Sequence, residues 1–474
     1  MNIDLDQLAE RLPEQRWYGG KSATIDRIDL IDAAVIDPGP PDLVLAIVNV
    51  IDHAGTQNLY HYPLLVESDG SSRDAFDDVD RFRCFGNLLA TGATVKGERG
   101  SFMFTGPGLD PLSPPGQVSA RTMGAEQTNT SLVLDEEVIV KLLRRVDWGR
   151  NPDLELTRHL TTEGFEHIPT HVGEVMYETD EEQNDERQVD LCIAQQFMTD
   201  SVEGWQDTLK RLHQLYDAID DADVHEDMRF LTEERASENL ASLEDLGEVT
   251  ASLHISLARD ELEHDLAPEP IDPDDLAKWA DRANTSLDAL LAKGEPELEP
   301  LKDALEERID RLRDVKEPGQ KSRIHSDYHL GQVLMTQRGW MILDFEGEPA
   351  RSLEERRTKQ SPLRDVAGML RSFSYAAVSA LFERAEPDSE QWRDLEGWAD
   401  TWETLARERF LHGYRARAHE GRFSPQSADD LSVMLDVFEI DKALYELGYE
   451  RGHRPDWARI PLHGIVKVLG KEVT

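Results

Sequence analysis

Residues 324–349 read IHSDYHLGQVLMTQRGWMILDFEGEP, and this stretch decides the fold. Its skeleton is His325-x-Asp327, then Gln332 after four residues, then Asp344-Phe345-Glu346. Between them lie two short apolar segments, VLM and WMIL, that read as the strands of a hairpin. An Asp and an amide five positions later can share one loop, and a second Asp at the end of the following strand can enter beside them. That set suits phosphoryl transfer. One carboxylate accepts the proton of an attacking hydroxyl, while an amide oxygen and another carboxylate face the metal that bridges the phosphates. Asp327 is the candidate base, and Gln332 and Asp344 are the candidate Mg²⁺ ligands.

The same chemistry needs a cation on the nucleotide phosphates. Lys141 ends the apolar strand Val138-Ile139-Val140-Lys141, which is conspicuous on an acidic chain. Its expected carboxylate partner is Glu155, in the helix opened by Asn151-Pro152-Asp153, where Asn caps and Pro fits the first turn. The preceding GAEQTNTSL, residues 124–132, is the candidate turn over the phosphates. It holds a single glycine, so hydroxyl and backbone groups of Thr128, Asn129 and Thr130 would do the cradling.

Working outward, the front of the chain is strand-rich. Strands are expected over Ile25–Ile36, Leu43–Val50 and Leu59–Val66, and a helix near Ala75–Leu89. More strands are expected at 102–105, 118–121, 128–134, 138–143, 171–177 and 188–197. From Val202 onward the pattern is helical, over 203–220, 229–258, 273–293, 297–315, 361–383, 388–419 and 427–448. The fold class is therefore α+β, in the layout of a bilobal enzyme. The expected division is an N-terminal cap at 1–90, an intermediate strand-rich lobe at 91–200, and a helical C-lobe at 201–474.

Composition narrows the function. The 474 residues include 51 Lys plus Arg and 95 Asp plus Glu, a formal net charge of −44. A surface this acidic repels phosphate backbones and anionic lipids, so nucleic-acid and membrane binding are not expected. The acid is spread along the chain, as in a salt-rich cytoplasm or a moderately acidic protein from a GC-rich genome. No apolar run approaches the roughly 20 residues of a membrane span. The acidic N-terminus MNIDLDQLAERL lacks the pattern of a secretory signal, and a cytoplasmic location is expected. The two cysteines, Cys84 and Cys192, lie far apart and suggest neither a disulfide framework nor a thiolate metal site. No GxGxxG after a strand, GxSxG or HExxH points to another enzyme class.

Segment 324–377 resembles the catalytic core of bacterial maltokinases, members of the aminoglycoside-phosphotransferase-like branch of the protein-kinase-like fold. The resemblance rests on HLGQVL, WxxLDFEGEP, LEERR and SPLRDVAGMLRSF. It extends to GAEQTNTSL, VKLLRR, NPDLEL, QQFM, YExxYExxxRPDW and the N-terminal RWYGGK, hence over nearly the whole chain. It implies a eukaryotic-protein-kinase-like fold with an N-terminal cap, and ATP- and Mg²⁺-dependent phosphorylation of maltose to maltose 1-phosphate. It also implies adenine binding near Gln196, Phe197 and Met198, and coupling to trehalose synthase. His325 is expected to brace the loop. Glu346 has two open roles, reaching a second Mg²⁺ or capping the next turn.

The sugar site is read from Arg364 and from Lys442, Tyr445, Tyr449 and Glu450, which cluster at helical spacing on one late helix. Arg364 and its neighbour Asp365 have the further reading of locking the DFEGEP loop. A related amino-sugar kinase, such as a glucosamine kinase, is the runner-up. A nucleotide-binding pseudokinase would lack the base, the metal Asp or the phosphate Lys, and all three candidates are present. One departure from the family is Ser326, where glycine is usual.

Overall fold

In the computed structural model, residues 3–21, 23–106, 118–124, 128–180, 187–220, 227–259, 265–348 and 351–470 are described. The chain forms two compact units, Met1–Thr199 and Asp200–Thr474. The first is strand-rich and the second helical, the α+β bilobal class expected. No described helix is long and apolar enough to cross a membrane.

The first unit opens with β1 (Ile25–Asp37), β2 (Asp42–Asp52), β3 (Gln57–Val66) and the short β4 (Ser72–Asp74). Residues 75–89 were expected as one helix. They form a kinked 3₁₀ stretch, Ala75–Arg83, and then a helix, Cys84–Thr91. The break falls at Asp78, whose φ of −140° is not helical. There follow β5 (Thr94–Lys96), β6 (Gly100–Thr105), β7 (Ala120–Thr122), β8 (Thr130–Leu134), β9 (Val138–Leu142), β10 (Arg145–Val146), β11 (His171–Thr179) and β12 (Gln188–Gln196).

β1, β2, β3 and β10 form one sheet in that order, with β4 on β3. Along β2 the period-2 pleat divides the apolar residues between two cores. Leu43, Leu45 and Ile47 pack with Phe82, Phe85 and Leu89. Val44, Ala46, Val48 and Val50 pack with Leu8, Leu12, Trp17 and Tyr18. The expected cap at 1–90 thus borrows a strand from residues beyond it. β10 pairs with Leu59 and Tyr60 and so covers a backbone edge that would otherwise stand open. The second sheet has seven strands, ordered β5-β6-β11-β12-β9-β8-β7, every neighbour antiparallel.

The second unit is built on long helices. The 229–258 stretch splits into Met228–Arg235 and Ser237–Leu257. Leu363–Arg384, Glu390–Ala418 and Ala428–His453 complete the core set. The Val333–Thr336 and Gly339–Ile342 strands form the expected hairpin and pair with Val202–Glu203. Trp340 is buried there and donates its indole N–H to the Ser242 carbonyl at 2.7 Å.

Candidate active site

The loop between Ile324 and Val333 is irregular, and side chains satisfy its backbone. Asp365 lies in the first turn of the Leu363–Arg384 helix. Its carboxylate accepts the N–H of His325 at 2.8 Å and of Ser326 at 2.9 Å. His254 approaches the same carboxylate with Nε2 at 3.3 Å, and its Nδ1 lies 3.0 Å from the Tyr414 hydroxyl. His254 and Asp365 are both buried. His325 Nε2 lies 2.7 Å from the Leu343 carbonyl, and its Nδ1 faces the Asp327 N–H at 3.4 Å. Its ring packs between Tyr328 and Phe345. Its role in this loop is that of a brace.

Two residues here stand in the left-handed region, Ser326 at φ +71° and Asp344 at φ +62°. Ser326 thus stands in the backbone region that favours glycine. A side chain there is strained.

Asp327 is flanked on both oxygens. Lys442 Nζ lies 3.7 Å from Oδ1, and His329 Nε2 lies 3.8 Å from Oδ2. Lys442 also binds Glu348 at 2.9 Å, and Arg351 Nε reaches Glu348 at 2.7 Å. Burial alone would raise the Glu348 carboxyl, but Lys442 and Arg351 outweigh it and bring it down to about 2. Burial likewise works against the Lys442 charge, yet Glu348 and Asp327 raise its pKa above the usual lysine range. Burial lowers the His329 imidazole, opposed by Asp327.

Gln332 Nε2 donates to Asp344 Oδ2 at 3.3 Å, so the two candidate metal ligands touch. A carboxylate oxygen of Glu346 lies within 4.8 Å of one of Asp344. Hard oxygen donors this close together fit Mg²⁺. Within the same unit is a cavity of about 750 Å³, counting its open mouth. Asp327, Lys442, Tyr445, Arg364, Glu348 and Arg351 are among its walls. Arg364 binds Asp441 at 3.0 Å and lies over the Phe438 ring at 4.6 Å. Its Nε and Nη2 are buried without a hydrogen-bond partner.

Two of the expected sugar-site residues sit elsewhere among the described residues. Tyr449 stacks on His453 with centroids 4.2 Å apart, outside the cavity wall. Glu450 is buried between Arg454, at 2.7 and 2.9 Å, and the Tyr375 hydroxyl at 3.2 Å. The reason is helical geometry. Tyr449 keeps the side of Lys442 but lies about 10 Å further along the axis, and Glu450 is about 100° further round. Sequence reasoning did not single out Glu348, Arg351, Asp441 or His254. Glu348 was within reach, since it lies in DFEGEP. Asp441 and His254 carry no sequence signal, because distant helices bring them in.

In the first unit, Lys141 alternates outward between the buried Val140 and Leu142. Its Nζ lies 3.2 Å from Asp153 Oδ2, the second residue of the Pro152–Thr162 helix. The expected partner was Glu155. Asp153 stands two residues before Glu155 on that helix. Thr128 is exposed, whereas Asn129 is buried. Arg144 holds this turn: its backbone N–H faces Asn129 Oδ1 at 3.4 Å and its Nε donates to Thr130 Oγ1 at 2.9 Å. The same guanidinium lies over Trp17 at 4.7 Å and Phe76 at 4.8 Å. Residues 125–127 of the turn lie outside the described residues. At the end of β12, Gln196 is exposed and the Phe197 N–H donates to the Glu137 carbonyl at 2.7 Å. Arg121 lies over the Phe197 ring at 5.3 Å.

Residues 214–395 match the model of the phosphotransferase enzyme family, and residues 12–77 match the maltokinase N-terminal cap domain. Over residues 214–395 the chain is similar to the phosphotransferase enzyme family. Among curated relatives, this phosphotransferase is 24% identical over 355 residues to a glucosamine kinase of Mycolicibacterium smegmatis, covering 72% of this chain and 77% of that one. It is 23% identical over 350 residues to a glucosamine kinase of Streptacidiphilus jiangxiensis, covering 71% and 70%. A solved glucosamine kinase in complex with glucosamine, ADP and inorganic phosphate superposes with a TM-score of 0.70 at 19% identity, covering 99% of this chain and 100% of that one. At that identity the likeness is one of fold. The cap and phosphotransferase domains together mark a sugar kinase.

Proposed function

We propose that this phosphotransferase transfers the γ-phosphate of ATP to the anomeric hydroxyl of maltose, giving maltose 1-phosphate. In this reading Asp327 accepts the hydroxyl proton as the oxygen bonds to phosphorus and the bond to ADP breaks. Lys442 and His329, beside its two oxygens, orient the carboxylate. Lys141, held by Asp153, contacts the nucleotide phosphates. Adenine binds at the backbone near Gln196–Met198. Gln332 and Asp344 hold Mg²⁺, with Glu346 beside them, and the metal when bound neutralises charge on the phosphates. The maltose would come from a trehalose synthase in the same compartment, as the resemblance implies.

The observation that carries the choice of acceptor is the state of the carboxylates in the cavity wall. Glu348 is paired with Lys442 and Arg351, and Asp441 with Arg364 and Arg282. Asp365 is taken by two backbone N–H groups and His254. Glu355 closes a capping box with Ser352. Apart from the base Asp327, little negative charge is left to receive the ammonium of an amino sugar, while the inner N–H groups of Arg364 suit hydroxyl oxygens. The maltokinase-type cap supports the same reading. The glucosamine kinase relatives favour the amino sugar as the second reading.

A panel of maltose, glucose and glucosamine with ATP, with the product followed by phosphorus NMR, tests the acceptor. Maltose is expected to be best, and glucose poorer for want of one ring's contacts. Asp327→Asn is expected to keep ATP binding and lose a factor of about 10² or more in turnover. Tyr445→Ala is expected to raise KM for maltose more than for ATP. Efficient phosphorylation of glucosamine with none of maltose overturns the acceptor and spares the phosphotransferase.

A further inference from the structure

A second cavity lies wholly within the first unit and takes no part in the chemistry above. Its empty volume is about 1040 Å³ counting its open mouth, large enough for a small ligand. It opens beside β10, where the two sheets of the unit meet. Its walls include Asn49 and Asn58 from β2 and β3, Arg145 from β10, and Arg99, Asp147 and Trp148.

The wall is built rather than incidental. Asp32 is buried, and its carboxylate accepts the N–H of Ala33 at 2.8 Å, of Glu98 at 2.8 Å and of Arg99 at 3.0 Å. It also accepts the Tyr177 hydroxyl at 3.1 Å. One carboxylate thereby fixes the turn that presents Arg99 and the tyrosine in the cavity wall. Tyr177 in turn backs the indole of Trp148, centroids 6.4 Å apart. Arg145 is exposed on β10 because the next residue, Val146, turns into the core.

The charges are the second observation. Arg99 and Arg145 face one cavity, and among the described residues neither guanidinium is paired with a carboxylate. On a chain with 95 acidic and 51 basic side chains, a cation meets acid partners readily. Two left open on one cavity favour an anion, for which arginine forks are suited. The other walls are those of a hydroxyl-rich ring: a half-buried indole face, side-chain amides and Asp147.

We propose that this cavity binds a phosphorylated sugar, with the phosphate on Arg99 and Arg145 and the ring against Trp148. The site goes beyond the acceptor reading and does not depend on which sugar is phosphorylated.

The test is calorimetric titration of the full chain with glucose 1-phosphate, maltose and inorganic phosphate, repeated on Arg99→Glu/Arg145→Glu and on Trp148→Leu. Glucose 1-phosphate is expected to bind, and the charge-reversed protein to bind it about tenfold or more weakly. Its melting temperature and its kinase KM for both substrates should stay unchanged. Trp148→Leu should weaken glucose 1-phosphate while sparing inorganic phosphate. Four results overturn the proposal: no binding by the unmodified chain up to about 10 mM, equal affinity after charge reversal, maltose binding as tightly as the sugar phosphate, or inorganic phosphate binding as tightly. Acceptor turnover is measured separately, so failure here and failure of the maltose reading are distinct.

Discussion

At the scale of single residues, the loop around Asp327 combines strain with charge. Ser326 holds φ +71° because Asp365 grips its N–H and that of His325. Left-handed backbone costs a residue with a Cβ about 1 kcal/mol, and a β-branched one more. Ser326→Gly is therefore expected to melt no lower than the unmodified chain, and Ser326→Val to lose about 2 kcal/mol. A valine variant as stable as the original would remove the strain argument. Glu348 makes a pH prediction. Its folded-state value near 2 lies below the ordinary value near 4.5. The stabilisation from Lys442 and Arg351 is thus present above about 4.5 and is lost as pH falls toward 2. The side chain is only 16% exposed, so little is screened, and the effect is roughly 3 kcal/mol. In denaturant melts, the stability gap between the unmodified chain and Glu348→Gln should shrink steadily from pH 6 to pH 2.5. A gap independent of pH contradicts the pairing.

At the scale of elements, the spacing of His325, Asp327 and Gln332 was legible because one loop carries all three, and local spacing survives folding. The hairpin at 333–342 was legible for the same reason. The contact of Lys141 with Asp153 was not, because it is set when the helix packs beside the strand. The packing of two long helices was equally hidden. A Cβ on Gly247 would lie 2.1 Å from the Phe410 carbonyl, and one on Gly413 would lie 2.0 Å from that of Glu244. The Ser237–Leu257 and Glu390–Ala418 helices therefore touch backbone to backbone, and neither glycine stands in a turn that would have flagged it. Gly413→Ala is expected to cost about 2 kcal/mol or more, read as a lowered denaturant midpoint, because two backbones must move apart. An unchanged midpoint would show that the helices can separate freely.

At the scale of the whole molecule, the net charge of −44 opposes compaction through self-repulsion. Raising KCl from about 0.05 to 2 M, which shortens the screening length several-fold, is expected to raise the melting temperature. A flat melting temperature over that range would dismiss a salt-adapted surface and leave the phosphotransferase untouched. The sequence by itself determined the α+β class, the strand-rich front and helical back, and the stretch that carries the loop. Each of these rests on periodicity or on neighbours within one segment. Only the tertiary structure decided that β10 completes the first sheet and that Asp365 and His254 hold the loop. It also left Tyr449 and Glu450 outside the cavity that Lys442 and Tyr445 line. Those facts depend on which helix face meets which neighbour, a choice made when distant segments pack and recorded nowhere in local spacing.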